Sequence, residues 1–177
     1  MQGHTDSNGN CTNIIITNVC RICQTQVTDG SHTSYMQQYE QQLKEGNLAP
    51  TPHSQIIHDL SDFIQECKSH GEEVILCLDA NEELTKDGIP KTGSISQLTK
   101  DNAMICAHDF LGYSGGTSKL SGKRIDYILV TTDILPAIIR GGKRPFEEGI
   151  ASDHKALFLD LDSEVLFGKS TGKIDLQ

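Results

Sequence analysis

The sequence predicts one α/β domain, and three observations support that prediction. Three apolar segments, NIIITNV, VILCL and RIDYILVTT, have the composition of buried strands. A strong amphipathic helical pattern lies between the first two of them. The 177 residues are enough for a single compact domain with its own core. Strands and helices that alternate along a chain are typical of a sheet covered by helices.

The first half of the chain begins with a strand from Asn13 to Val19, because β-branched residues dominate it. After a polar turn, SYMQQYEQQLKEG predicts a helix that ends at Gly46. Met36, Tyr39 and Leu43 fall on one face of that helix.

A second helix is the clearest element of the sequence. Thr51 suits its cap position, Pro52 suits its first turn, and Gly71 suits its end. Its apolar residues recur at helical spacing and predict the buried face: Ile56, Ile57, Leu60, Phe63, Ile64 and Cys67.

The second half supplies the remaining elements. Val74 to Leu78 is a strand that is apolar on both faces, SISQLTKDNA predicts a short helix, and RIDYILVTT a further strand. ILPAIIRGGKRPFEEGI indicates another strand and a loop, and ALFLDLD the final strand. The predicted organisation is a flexible N-terminus over residues 1–12, a domain over 13–162 and a flexible tail over 163–177.

Composition excludes some classes of protein. The apolar fraction is 36% and the charged fraction 22%, which is typical of a globular chain. No apolar run approaches the ~20 residues of a membrane span, and the polar N-terminus lacks the apolar core of a signal peptide. The expectation is an intracellular protein without a membrane partner, with cytoplasm and nucleus unresolved.

Charge is spread unevenly along the chain. The net charge of −9 argues against indiscriminate nucleic-acid binding. The window from Lys119 to Lys155, however, holds seven basic and five acidic residues. This excess fits a substrate that carries phosphate, and it equally fits an ordinary solvated surface.

Six cysteines are present, and no disulfide framework is expected in this context. Cys20-x-x-Cys23 has a spacing seen in zinc and redox sites. A structural zinc site usually needs a second such pair, and a redox pair usually precedes a helix. Ordinary thiols are therefore the favoured interpretation.

Three polar clusters lie at ends of predicted buried strands, where α/β folds place binding sites. Asp79 and Asn81 end one strand, Asp126 lies within another, and Asp153 and His154 precede the last. A carboxylate among apolar neighbours needs a partner. For Asp126 that partner is either Arg124 or a histidine that it orients, with His154 the candidate. Asp-x-Asn taken alone is also typical of a turn.

The order of these clusters resembles the late motifs of the endonuclease/exonuclease/phosphatase superfamily. The motifs stand here as LDAN, RIDYIL and SDH, and GYSGGTS resembles the family's hairpin before the second motif. The resemblance covers roughly residues 14 to 161 and is nearest to apurinic and retrotransposon-type endonuclease domains. It implies a DNase I-like α/β/β/α sandwich of four layers.

The resemblance also implies roles for the polar residues in a metal-dependent phosphodiester hydrolase. Asp79 would orient or deprotonate the attacking water, and Asn81 would bind that water or a phosphate oxygen. Asp153 would bind Mg²⁺ or Mn²⁺. His154 would stabilise charge on the phosphate, with Asp126 fixing its orientation. Candidate substrate contacts are Arg124, Tyr113, Thr117 and Ser152. All five principal side chains are expected to converge on one cleft.

The sequence departs from the family pattern at two places. The early Asn and the metal-binding Glu of the family have no counterpart here, so the expected sandwich lacks much of its N-terminal half. Cys20 and Cys23 stand where the family tends to have Tyr and Asn. These departures leave alternatives open: a truncated domain, self-association or pairing with a separate N-terminal half, an inactive module that binds nucleic acid or protein, or a small-molecule or lipid phosphatase. Among nucleic acids, DNA is the expected partner before RNA.

Overall fold

A five-stranded sheet forms the centre of the molecule. The structure is a computed structural model, and it describes residues 2–5, 11–23, 32–85, 89–146 and 152–167. The strands run in the order β1-β2-β3-β5-β4 across the sheet. They are β1 (Gln2–Thr5), β2 (Cys11–Cys20), β3 (Glu73–Asp79), β4 (Ile105–Cys106) and β5 (Asp126–Val130).

The pairing of β2 with β3 is parallel, whereas β3 with β5, β4 with β5 and β1 with β2 are antiparallel. A parallel pair needs a long crossover connection. Two helices lie in the chain between β2 and β3, α1 (Ser34–Lys44) and α2 (Pro52–Ser69). The predicted strands at Asn13–Val19 and Val74–Leu78 are confirmed, each slightly longer than predicted.

Helix α2 begins at Pro52, as predicted, although the Thr51 side chain makes no capping hydrogen bond. Four of its six predicted core residues are buried, whereas Ile56 is partly buried and Phe63 is 37% exposed. In α1 the buried face is centred one residue earlier than predicted, on Tyr35 and Met36. Leu43, predicted on that face, is exposed.

The core has two parts, one on each face of the central sheet. On one face α2 and a short helix, α3 (Ile95–Asp101), cover alternate β3 residues such as Val74 and Leu76. On the other face, Ile75 and Ile128 pack towards a two-stranded sheet of β6 (Ile138–Lys143) and β7 (Leu157–Leu161). The described chain therefore has three layers, helix, sheet and sheet, which is a partial DNase I-like sandwich as predicted.

Three short elements complete the described chain. Helix α4 (Ala107–Phe110) follows β4, and a 3-10 turn (Thr132–Ala137) follows β5. Helix α5 (Ser163–Phe167) occupies the start of the predicted flexible tail, and β1 lies within the predicted flexible N-terminus, so both terminal segments contain regular structure. Residues 168–177 lie outside the described residues. Among the described helices, none combines the length and the apolar character needed to span a bilayer.

Candidate active site

The register of three adjacent strands places Cys20, Asp79 and Asp126 in one row across the sheet. Cys20 pairs with Asp79 in the β2–β3 ladder, and Asp79 pairs with Asp126 in the β3–β5 ladder. Residues directly opposite on neighbouring strands have side chains on the same face. Strand pairing therefore converts three residues that are distant in sequence into one line of side chains.

Asp126 and His154 form a hydrogen-bonded pair, as the sequence predicts. The Nδ1 atom of His154 lies 2.9 Å and 3.0 Å from the two carboxylate oxygens of Asp126. Both side chains are partly buried, with 31% of the histidine and 15% of the aspartate exposed. The hydrogen bond to Asp126 raises the pKa of His154, and the carboxylates of Asp79 and Asp153 raise it further. Asp126 therefore favours the protonated form of His154 and fixes the orientation of its ring.

The backbone around His154 is fixed by the hairpin that precedes β5. Residue 154 forms an isolated antiparallel bridge with Ser118. The Lys155 amide donates to the Thr117 carbonyl at 2.8 Å, and the Lys119 amide donates to the Asp153 carbonyl at 2.7 Å. These bonds hold the Ser-Asp-His segment against the sheet.

Asp79 lies across from the Asp126–His154 pair. One ligand atom from each of Asp79, Asp126 and His154 lies within 4.8 Å of the other two. A cleft of about 220 Å³ adjoins them, lined by both aspartates and by Lys155. Two carboxylates and a lysine at this cleft, with the His154 imidazole beside the carboxylates, can hold a cation and an anion next to each other.

Asn81 occupies a tight turn directly after β3. Its φ angle of 50° lies in the left-handed region, which Asn tolerates better than most residues. Its amide donates to Asp79 Oδ1 at 3.1 Å, and its side-chain nitrogen donates to the Arg21 carbonyl at 2.5 Å. The Asp-x-Asn segment is thus both a turn, as the simpler interpretation holds, and a neighbour of the candidate site.

The two cysteines of the Cys-x-x-Cys segment contact the two polar residues of the Asp-x-Asn segment. Cys20 Sγ lies 3.5 Å from Asp79 Oδ2, and Cys23 Sγ lies 3.1 Å from Asn81 Oδ1. Both cysteines are exposed and form no disulfide. Desolvation and the negative charge of Asp79 raise the pKa of the Cys20 thiol.

Two of the predicted substrate contacts have structural partners instead. Thr117 has no exposed surface, and its hydroxyl accepts the amides of Ile125 and Asp126 at 3.0 Å and 3.1 Å. Arg124 donates to Asp109 at 2.5 Å and to Cys106 Sγ at 2.7 Å. Burial withdraws Thr117 from solvent and an ion pair holds Arg124, so both side chains are engaged within the protein, and their contact with substrate stays a prediction from the sequence.

The remaining predicted residues lie nearer the surface. Ser152 is exposed, and its hydroxyl accepts the His154 amide at 3.0 Å, so it shapes the turn before the histidine. Tyr113 is 43% exposed and packs edge-on against His108. Asp153, predicted as the metal ligand, is exposed and lies outside the Asp79–Asp126–His154 group. The structure therefore centres the candidate ligands on Asp79 rather than on Asp153.

Sequence reasoning missed two residues that support the cleft. Tyr127 is buried beneath it, donating to the Arg124 carbonyl at 2.7 Å and accepting the Leu84 amide at 2.8 Å. Arg21 is 1% exposed and donates to the carbonyls of His53 and Gly93. Tyr127 directly follows Asp126 in the RIDYIL motif, so its position in that motif could have identified it. Arg21 lies in a polar segment after a strand, where nothing in the sequence indicates burial.

No protein-family model matches the chain, and no curated protein matches it. The layers and the row of polar residues nevertheless define a class of fold, the DNase I-like α/β sandwich. A solved structure with a similar fold is the crystal structure of the Xenopus laevis APE2 catalytic domain, an AP endonuclease. The TM-score is 0.53, the sequence identity 14%, and the match covers 93% of this chain and 57% of that one.

At 14% identity this similarity establishes the fold alone, and the activity depends on the residues of the site. The chain spans 57% of the APE2 domain's length. Correspondence to a C-terminal half, and nearness to retrotransposon endonucleases, stay predictions from the sequence motifs.

Proposed function

We propose that the chain is a metal-dependent phosphodiester hydrolase of the endonuclease type. The observation that supports this most directly is the Asp126–His154 hydrogen bond, formed within 4.8 Å of Asp79. Phosphodiester hydrolysis needs a positioned water and compensation of the charge that develops on the phosphate oxygens. The proposed centre has a carboxylate for the first task and an oriented imidazole for the second.

His154 is proposed to contact the phosphate through its Nε2 atom. Its Nδ1 atom is engaged by Asp126, which fixes the ring and favours the protonated form. A protonated ring offers both charge and a donor to an anionic oxygen. Asp126 acts as the positioning residue, because its carboxylate reaches His154 rather than the phosphate.

Asp79 and Asn81 are proposed to hold the attacking water. The Asn81 amide donates to Asp79 Oδ1, so the two side chains are fixed relative to each other. Asp79 Oδ2 faces the thiol of Cys20, at the cleft end of β3. A carboxylate in this position can orient a water molecule and accept its proton.

A divalent cation such as Mg²⁺ or Mn²⁺ fits the carboxylates of Asp79 and Asp126. Such ions commonly use one or two carboxylates and complete their shell with water and phosphate oxygens. When bound, the ion supplies charge compensation and a more acidic water. Asp153 lies close enough to strengthen the negative field at His154 without joining the ligand group.

The proposed substrate is a nucleic acid, with DNA as the first candidate. Lys155 lies at the cleft, and its ammonium group is 5.1 Å from the centre of the Phe146 ring. Lys119 lies 5.8 Å from the same ring, and Lys143 lines the adjoining pocket. Cations around an aromatic ring, beside the proposed phosphate site, suit a phosphate backbone with an unpaired base.

Plasmid cleavage in Mg²⁺ or Mn²⁺ tests the proposal. We expect His154→Ala and Asp79→Asn each to lower the rate by roughly 100-fold or more. His58→Ala is the matched control, because His58 is exposed on α2, away from the cleft lining, and its loss should leave the rate unchanged. Removal of the metal by a chelator should abolish cleavage.

Three outcomes would contradict the hydrolase proposal. Cleavage that persists in both cleft variants would assign it to a contaminant. Binding of DNA without cleavage would favour the interaction module, and hydrolysis confined to a phosphomonoester would favour the phosphatase.

A further inference from the structure

A second pocket, which we call the Phe146 pocket, adjoins the candidate active site and is positively charged. Its volume is about 410 Å³, and Lys155 lines both this pocket and the cleft. Lys143 is a second basic lining residue, and none of the described residues that line the pocket is acidic. The chain carries a net charge of −9, so this positive charge is a local feature. It favours an anionic ligand at this position.

The aromatic ring of Phe146 distinguishes this pocket from a simple phosphate site. The Nζ atoms of Lys155 and Lys119 lie 5.1 Å and 5.8 Å from the centre of the ring. Phe146 is only partly buried, and it borders the open space of the pocket. A phosphate needs only cations, whereas an aromatic ring close to cations can stack against a nucleobase while the cations hold the neighbouring phosphates. The combination therefore fits a nucleotide unit of a nucleic acid.

Hydrogen bonds fix the walls of the Phe146 pocket before any ligand binds. Lys143 Nζ donates to the Ser114 carbonyl and, at 2.9 Å, to the Gly115 carbonyl, which ties the end of β6 to the hairpin before β5. Burial lowers the pKa of Lys143, and the charges of Arg124 and Lys155 lower it further. A bound anion would stabilise the charged form of Lys143, so the pocket is both preorganised and electrostatically suited to a nucleotide.

We propose that the Phe146 pocket binds an unpaired nucleobase of the nucleic-acid substrate, next to the phosphate held at His154. The inference rests on the hydrolase proposed above and names the form of its substrate, which is single-stranded or locally unpaired nucleic acid. Lys155 directly follows His154 and lines both sites, so one nucleotide unit can occupy the two together. A base inside a duplex reaches a side pocket only after extrusion, which costs free energy that a single strand does not lose.

Three variants separate stacking on the ring from other effects. Phe146→Leu removes the aromatic ring and keeps an apolar side chain, whereas Phe146→Tyr keeps a ring that can stack. Phe110→Leu is the matched control, because Phe110 is 53% exposed on α4 and does not line the pocket. Its substitution reports any general effect of removing an exposed phenylalanine ring from the protein.

Fluorescence anisotropy of the full chain, with a chelator present to prevent cleavage, tests the inference. The labelled ligands are an oligothymidine single strand, an abasic strand of the same length and a duplex of the same length. We expect the oligothymidine strand to bind more tightly than the other two. Phe146→Leu should weaken its binding by roughly tenfold, since base–aromatic stacking commonly contributes that much. Phe146→Leu on the abasic strand, and Phe110→Leu or Phe146→Tyr on either strand, should stay within about twofold of the native chain.

The results separate this inference from the hydrolase proposal. No strand binding, tighter binding of the duplex, or an equal loss on both strands in Phe146→Leu would overturn the base site. Displacement of the strand by equimolar thymidine monophosphate would assign the pocket to a free nucleotide and overturn it as well. Plasmid cleavage by a native chain that shows no preference for bases would leave the hydrolase proposal standing alone. Base-dependent binding without cleavage in any metal would support the base site and contradict the hydrolase. Circular dichroism of each variant confirms that lost binding does not reflect unfolding.

Discussion

Replacing Tyr127 by phenylalanine tests how the loop after Asp79 is fixed. The side chain is buried, and its hydroxyl bridges two segments by accepting from the Leu84 amide and donating to the Arg124 carbonyl. Phenylalanine keeps the ring and its packing and removes these two bonds, together with a longer contact of 3.4 Å from the hydroxyl to the Glu82 carbonyl. Each is worth about 1 kcal/mol net, so we expect the free energy of unfolding to fall by about 2 kcal/mol.

Denaturant unfolding followed by circular dichroism measures this change. The transition midpoint should shift while the denaturant slope stays constant, because the exposed surface on unfolding is unchanged. Tyr39→Phe is the control, since Tyr39 is only half-buried on α1, and we expect a change within about 0.5 kcal/mol. A loss of less than about 0.5 kcal/mol for Tyr127→Phe would show that the hydroxyl does not anchor the loop.

Three further predictions concern the same framework. Burial raises the pKa of Tyr127 to about 12. The unfolded chain loses this proton near its ordinary pKa of about 10. The contribution of Tyr127 to the free energy of unfolding should therefore be constant below that pH and fall by roughly 2 kcal/mol between pH ~10 and pH ~12. Alkaline denaturation of the native protein and of Tyr127→Phe measures the difference. Arg124→Met should lower stability by about 2 kcal/mol through loss of its ion pair while DNA affinity in a filter-binding assay stays within about twofold. Gly116→Ala should lower the thermal midpoint, at a cost of about 1–3 kcal/mol, because a Cβ there would lie 2.0 Å from the Gly122 carbonyl oxygen; an unchanged midpoint would contradict that geometry.

Strand and helix identity could be predicted from the sequence because apolar periodicity is a local property. The β3 segment is apolar on both faces, and it lies between a helical layer and a second sheet. Helix α2 shows the same agreement at its start and along most of its buried face. The buried face of α1 was harder to predict. Tertiary packing buries Tyr35 and leaves Leu43 exposed, although helical spacing placed Leu43 on the buried face.

The candidate site could be predicted only in part. The pairing of Asp126 with His154 followed from the need of a half-buried carboxylate for a partner. The substrate roles of Thr117 and Arg124 stay predictions, and spacing does not show that the fold buries Thr117 or that Arg124 pairs with Asp109. The contact between Cys20 and Asp79 depends on the register of β2 against β3. These two residues are 59 positions apart, and no local sequence pattern sets a register over that separation.

The row of Cys20, Asp79 and Asp126 also bears on when the cleft arises during folding. Cys20 and Asp79 are 59 positions apart, and Asp126 and His154 are 28 apart. Each contact requires closure of a long loop, whose entropy is lost before the contact forms, and folds rich in such pairings reach the native state slowly. Helix α2 can form early from local contacts, whereas the ligand group exists only once β2, β3 and β5 have aligned. We therefore expect cation binding to develop in the slowest kinetic phase of refolding, making it a reporter of completed sheet assembly.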